Sequence, residues 1–114
     1  MPESLKPQWF HILFALSTGA MHGSAIMDEV LARTDGEMKL WPATLYGSLR
    51  DLEAADWIAE TEPSPDAPTE GGKRRFYRLT PQGDHVLRTE LRRLHELLDV
   101  ARSRDLLGEP ESAS

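Results

Sequence analysis

No cysteine occurs among the 114 residues, which excludes a disulfide framework, a thiolate metal site and a cysteine nucleophile. Nor does any window approach the run of about twenty apolar residues that a membrane span requires. The opening "MPESLKPQWF" has no basic segment leading into an apolar core and a cleavage site. A soluble cytoplasmic protein without membrane association is expected. His11, His22, His85 and His95 are never three or four apart, and no carboxylate pair completes a ligand set, so neither a metal nor a cofactor is expected. Ser48 and Ser103 stand without a positioned histidine, and there is no carboxylate pair in a cleft and no phosphate-binding glycine loop. These absences argue against an enzyme.

What is present is an uneven distribution of charge. The formal net charge is −6, yet the stretch "GGKRRFYRLT" places Lys73, Arg74, Arg75 and Arg78 close together beside two adjacent aromatics. Between Gly71 and Arg93 only Asp84 and Glu90 oppose seven Lys or Arg, and the acidity lies in Asp51 to Glu70 and in the tail. A net negative charge disfavours indiscriminate coating of nucleic acid but leaves room for a local basic surface. At this length one domain with a small core is expected, of a size that often hides apolar surface against a second copy.

Along the chain, Pro7 fits a first helical position, and Trp9, Phe10, Leu13, Phe14 and Leu16 recur at helical spacing up to Gly19. "MHGSAIMDEVLART" reads as a second helix with Ile26, Met27, Val30 and Leu31 as its buried stripe, ended by Gly36. In "WPATLYGSLRDLEAADWI" Pro42 can open a third helix, in which Leu45, Leu49 and Leu52 fall on one face. Ala43, Gly47 and Arg50 then point the other way, with Thr44 and Tyr46 on the flanks. "WIAETEP" and "KRRFYRLT" flank a loop of turn formers and read as a hairpin, Tyr77 and Leu79 being the expected core pair of its second strand. Thr80 followed by Pro81 starts a last helix running to about Leu106. Its Leu87, Leu91, Leu94, Leu98 and Ala101 are spaced as a heptad seam, and such a stripe wants a partner.

Helix, helix, helix, hairpin, long helix is the order of a winged helix-turn-helix, whose third helix enters the major groove while the hairpin touches the neighbouring backbone. The fold expected is mostly α with a small β-hairpin: a winged-helix DNA-binding domain over 7–80, a C-terminal dimerisation helix over 81–106, and disordered ends at 1–6 and 107–114. Ala43, Thr44, Tyr46, Gly47 and Arg50 are the candidate groove-facing residues, and Lys73, Arg74, Arg75 and Arg78 the candidate phosphate contacts. Trp9, Phe10 and Leu13 join Leu87, Leu91, Leu94, Leu98 and Ala101 as the candidate dimer interface. Arg88, Arg92 and Arg93 are placed beside that seam, pairing with Glu90 and Glu96.

"MHGSAIMDEV", "TLYGSLRDLEAADWI" and "RRFYRLTPQG" in that order resemble the PadR-like transcriptional regulators, whose members carry an H-G-Y opening to the second helix, an L-Y-x-x-L-x-x-L-E third helix and a Y-x-L-T-x-x-G wing end. The resemblance covers about Trp9 to Leu98. It implies a homodimeric winged-helix repressor acting on a pseudo-palindromic operator in double-stranded DNA, paired through the first and last helices and in many members relieved by a small-molecule effector. Three positions depart from the pattern: Ser24 replaces the aromatic of H-G-Y, Trp41 stands where a capping Ser or Thr is usual, and Asp56 replaces the glycine at the helix exit. The last helix also lacks the tryptophan with which some members stack flat aromatic drugs.

Tyr46 is read as a phosphate or base contact over a ring resting on the domain edge. Arg50 stands open between a DNA contact and a surface ion pair, and Trp41 between core packing and a place beside the DNA. The alternative function is a winged-helix module that docks another protein without specific DNA binding, since one fold serves both uses.

Overall fold

The computed structural model describes residues 5–62 and 75–108. Lys73 and Arg74, the wing tip at 64–72 and the outer parts of both termini, 1–4 and 109–114, lie outside the described residues.

Pro7, Pro42 and Pro81 open α1 (Pro7–Ala15), α3 (Pro42–Ala54) and α4 (Pro81–Ser103), at the position where a missing N–H and a fixed φ cost a helix nothing. In α2 (Gly23–Arg33) the cap is His22, whose Nδ1 accepts from the Ala25 N–H at 3.3 Å. Thr80 caps α4 with its hydroxyl, which accepts from the Gly83 N–H at 3.0 Å and donates to the Asp56 carbonyl at 2.6 Å. One hydroxyl thus ties the start of the last helix to the end of α3.

Three helices stop in the same way. Asp35, Asp56 and Asp105 adopt left-handed φ values of 55°, 66° and 58°. After each, the next N–H reaches back to the last turn: Gly36 to the Leu31 carbonyl at 2.8 Å, Trp57 to Leu52 at 3.0 Å and Leu106 to Ala101 at 2.9 Å. This is the Schellman arrangement, normally closed by glycine and tolerated by aspartate, whose short polar side chain suits the left-handed region. The charge is adverse, because a carboxylate sits at the negative end of each helix dipole. Asp56→Asn should therefore raise stability by about 0.5 kcal/mol at low ionic strength. Thermal melts of the two proteins at low and high salt check this, the gain shrinking as salt rises.

Two of the three strands match the hairpin reading. The strand β2 (Ile58–Thr61) pairs antiparallel with β3 (Phe76–Leu79) from Ile58↔Leu79 to Thr61↔Phe76. A third, β1 (Met21–His22), adds to the other edge of β3 through Met21↔Tyr77 and His22↔Phe76, giving the order β1-β3-β2. Two residues are too few for an alternating pattern, so β1 was absorbed into the second helix on sequence grounds. Its presence makes β3 the central strand and changes what is buried there. Phe76, placed by alternation on the outer face, is buried along with Tyr77, because the His22 ring closes over it edge to face at 5.4 Å.

The core joins Ile12, Leu13, Ala15 and Leu16 of the first helical segment, Ile26 and Val30 of α2, Leu45, Leu49 and Leu52 of α3, and Ile58, Tyr77 and Leu87. Two of the candidate dimer contacts belong to this core: Leu13 is 0% and Leu87 3% exposed within a single chain, so both side chains pack in the subunit's own interior. At the N-terminal end of the described residues, Leu5 packs on the core and the Lys6 ammonium lies 4.7 Å above the Trp9 ring.

Candidate nucleic-acid interface

The leucine face of α3 is buried together with Ser48, and the opposite face of its first turns is not. Ala43, Thr44, Tyr46 and Arg50 are exposed and Gly47 half-buried, and no acidic residue lies between Pro42 and Arg50. Trp41, the residue before the helix, offers no side-chain cap and is 61% exposed, which settles its place outside the core.

Gly47 is informative because no packing neighbour among the described residues requires it. A glycine inside a helix costs about 1 kcal/mol relative to alanine, and a Cβ built on Gly47 would meet no packing neighbour among the described residues within 4 Å. Gly23 is the opposite case. A Cβ there would stand 2.9 Å from the Tyr46 hydroxyl oxygen, so this glycine is what lets the Tyr46 ring lie across the start of α2.

That contact also joins the wing to α3. Tyr46 lies on Gly23, and the residue before Gly23 is His22, which pairs with Phe76 at the head of β3. The exposed first turns of α3 and the beginning of β3 are therefore linked through two neighbouring residues, which puts the basic strand and the third helix on adjoining parts of the surface.

Of the four candidate phosphate contacts, the two described, Arg75 and Arg78, stand on opposite faces of the strand. Lys73 and Arg74 lie outside the described residues. Arg75 stands on the Tyr77 side of β3, with its guanidinium 3.9 Å from the Glu60 carboxylate. Burial pushes the Tyr77 hydroxyl above its ordinary pKa, in spite of a lowering hydrogen bond with Arg75. Arg78 is on the opposite face of the strand. There its guanidinium reaches the Leu79 carbonyl at 3.4 Å, beside an open recess of about 580 Å³ shared with Ser17, Thr18 and Asp84.

Of the remaining dimer candidates, Trp9 is half-buried and meets Trp57 edge to face at 6.1 Å, and Phe10 meets Phe14 at 5.6 Å. In α4, Leu91 packs on the core, whereas Leu94 and Ala101 are half-buried and Leu98 is exposed, together with Leu97 and Val100. Arg93 pairs with Glu90 at 2.6 Å as expected, but Arg88 takes Asp84 at 2.8 Å, its neighbour one helical turn back. Among the described residues no group of His, Asp and Glu could hold a metal ion, and no helix is long and apolar enough to cross a membrane.

Three residues with a part in this surface were not singled out by sequence reasoning: His22 as cap and wing partner, Gly23 as the seat of Tyr46, and Lys39, whose ammonium sits 4.4 Å from the Trp41 ring. The H-G pair was visible as part of a motif, but its mechanical purpose was not.

Three helices closed by a small antiparallel sheet, with a long helix leaving the sheet, define a winged helix-turn-helix protein. The model of the transcriptional regulator PadR-like family matches residues 12–89, and the chain belongs to that family, one of regulators and not of enzymes. Solved structures agree in fold. A PadR family transcription regulator from Clostridium difficile R20291 is similar at 23% identity and a TM-score of 0.64, over 83% of this chain and 96% of that one. A transcriptional regulator from Clostridium thermocellum is similar at 23% identity and a TM-score of 0.65, over 82% and 85% of the two chains. Bacillus subtilis PadR in complex with operator DNA is similar at 20% identity and a TM-score of 0.59, over 72% of this chain and 45% of that one. No curated relative matches.

Proposed function

We propose that this regulator is a cytoplasmic homodimeric repressor that binds a pseudo-palindromic operator, with Ala43, Thr44, Tyr46, Gly47 and Arg50 of each subunit in successive major grooves. Arg75 and Arg78, with Lys73 and Arg74 ahead of them, neutralise flanking phosphates, and a small-molecule effector relieves repression. The likeness in fold to Bacillus subtilis PadR, a protein solved in complex with operator DNA, supports operator DNA as the ligand. What carries the proposal is the face of α3 itself: a stripe free of acids whose central residue, Gly47, is smaller than the subunit's own packing requires. A duplex pressed against that stripe supplies the reason for the missing side chain.

Gly47→Ala tests it, because the two consequences have opposite signs. The variant should be more stable, by about 0.5 to 1 kcal/mol, and should bind its operator about tenfold more weakly as a methyl group is forced between helix and groove. Operator duplexes selected from a random pool at near-physiological salt provide the ligand, and binding should weaken steeply as salt rises. A variant that is stabilised and binds as tightly as the wild type would remove α3 from the groove. Binding to no duplex at any salt would favour the protein-docking alternative.

A further inference from the structure

Trp41 is the most exposed Trp, Tyr or Phe among the described residues, at 61% against 46% for Tyr46. It stands at the N-cap position of α3, where its carbonyl accepts the Leu45 N–H at 2.8 Å but its side chain makes no cap hydrogen bond, so the ring itself contributes little to the fold. A large ring left in water at such a place is an unfavourable arrangement for an isolated subunit. It is also not an apolar surface alone, because the Lys39 ammonium lies 4.4 Å from the ring centroid, making a flat cationic platform. The platform is continuous with the exposed first turn of α3, where Pro42, Ala43 and Thr44 carry no charge.

We propose that Trp41 and Lys39 are a second DNA-contacting element, in which the indole lies on a deoxyribose at the rim of the major groove and the ammonium neutralises the adjoining phosphate. This rests on the placement of α3 in the groove. The sugar-phosphate edge is the occupant for two reasons. Trp41 precedes the helix, at the end of the Ala43, Gly47 and Arg50 stripe, and a cation held over the indole favours a polyanion over a neutral protein surface. The indole supplies apolar area that the backbone sugars can cover, and Lys39 loses little by exchanging the ring for a phosphate. The pair is thus a positioning element: it sets the depth and angle at which α3 meets the duplex, and it carries no sequence preference.

Full-length wild type, Trp41→Ala, Trp41→Phe, Lys39→Ala and Arg50→Ala are compared by duplex binding across a salt series, using the selected operator and an unrelated duplex, and by tryptophan emission. Trp41→Ala should lower affinity about tenfold for both duplexes alike, with an unchanged melting temperature, and Trp41→Phe should recover most of the loss. Lys39→Ala should reduce the salt slope by about one phosphate contact, roughly 0.9 in log-log units. Operator should quench the wild-type emission and leave that of Trp41→Phe unchanged, since Trp9 and Trp57 face each other within the subunit. If the wild type binds operator and Trp41→Ala binds both duplexes equally well, with no duplex-dependent quenching, this inference falls while the placement of α3 stands. A loss confined to the operator would also overturn it, by making Trp41 a base reader. A wild type that binds no duplex overturns both.

Discussion

Gly83→Ala should destabilise the protein by about 3 kcal/mol, the reverse in sign of the same substitution at Gly47. Both glycines are helical, so backbone entropy favours alanine at each by about 1 kcal/mol. The difference lies in what the added methyl group meets. A Cβ on Gly83 would stand 1.9 Å from the Trp57 carbonyl oxygen and 2.8 Å from its carbon, backbone atoms that no rotamer can move aside. To relieve the clash α4 must lift from the head of β2, and the same Trp57 carbonyl accepts the Thr80 N–H at 3.1 Å. Lifting the helix therefore strains that bond and the Thr80 hydroxyl's hold on Asp56 and Gly83, and it withdraws Leu87 from the core. A loss of this size lowers the melting temperature by about 10 °C or more for a domain of this length. Thermal and urea unfolding of wild type, Gly83→Ala and Gly47→Ala decide the matter. Equal effects at the two positions would mean that α4 does not dock on Trp57 as described.

The same two glycines indicate how far the sequence could be read unaided. Proline before an apolar repeat announced α1, α3 and α4, and Thr80 with Pro81 announced the last helix together with its cap. Asp56, which replaces glycine at the exit of α3, holds a left-handed φ of 66°, as a short polar side chain allows. These are local signals, set by residues within one helical turn of each other. Contacts made at a distance were not legible. A two-residue strand leaves no period, so β1 went unseen, and with it the cover over Phe76. Heptad spacing gives the direction in which Leu87 and Leu91 point but not what lies there, so residues that dock on their own subunit were grouped with those that project beyond it. The residues of α3 that turn away from its leucine face could be named from an angle alone. That Gly47 faces open space while Gly83 touches a carbonyl belongs to the packing of separate elements, which no single stretch of sequence encodes.

Glutamate at both Leu94 and Leu98 should convert the protein to monomers and lower its operator affinity by roughly 100-fold or more. The helix α4 is 23 residues long, about 35 Å, and its first part is anchored by Leu87 and Leu91. Beyond that anchor Leu97, Leu98 and Val100 are 51%, 44% and 44% exposed, an apolar stretch that pairing with a second copy would cover. Leu94 and Leu98 are not part of the subunit's core, so charging them leaves the fold intact, which Leu87→Glu would not. A monomer still carries one α3 and one wing and should bind a single half-site as the wild-type subunit does. It loses the gain from engaging two half-sites at once, since the second contact is no longer tethered to the first. Sedimentation of the two proteins, with binding measured on a single half-site and on the full palindrome, separates these effects. The expected result is a shared half-site affinity and a palindrome affinity that collapses in the variant alone. A doubly substituted protein that remains dimeric and holds the palindrome as tightly as the wild type would place the subunit interface elsewhere than on α4.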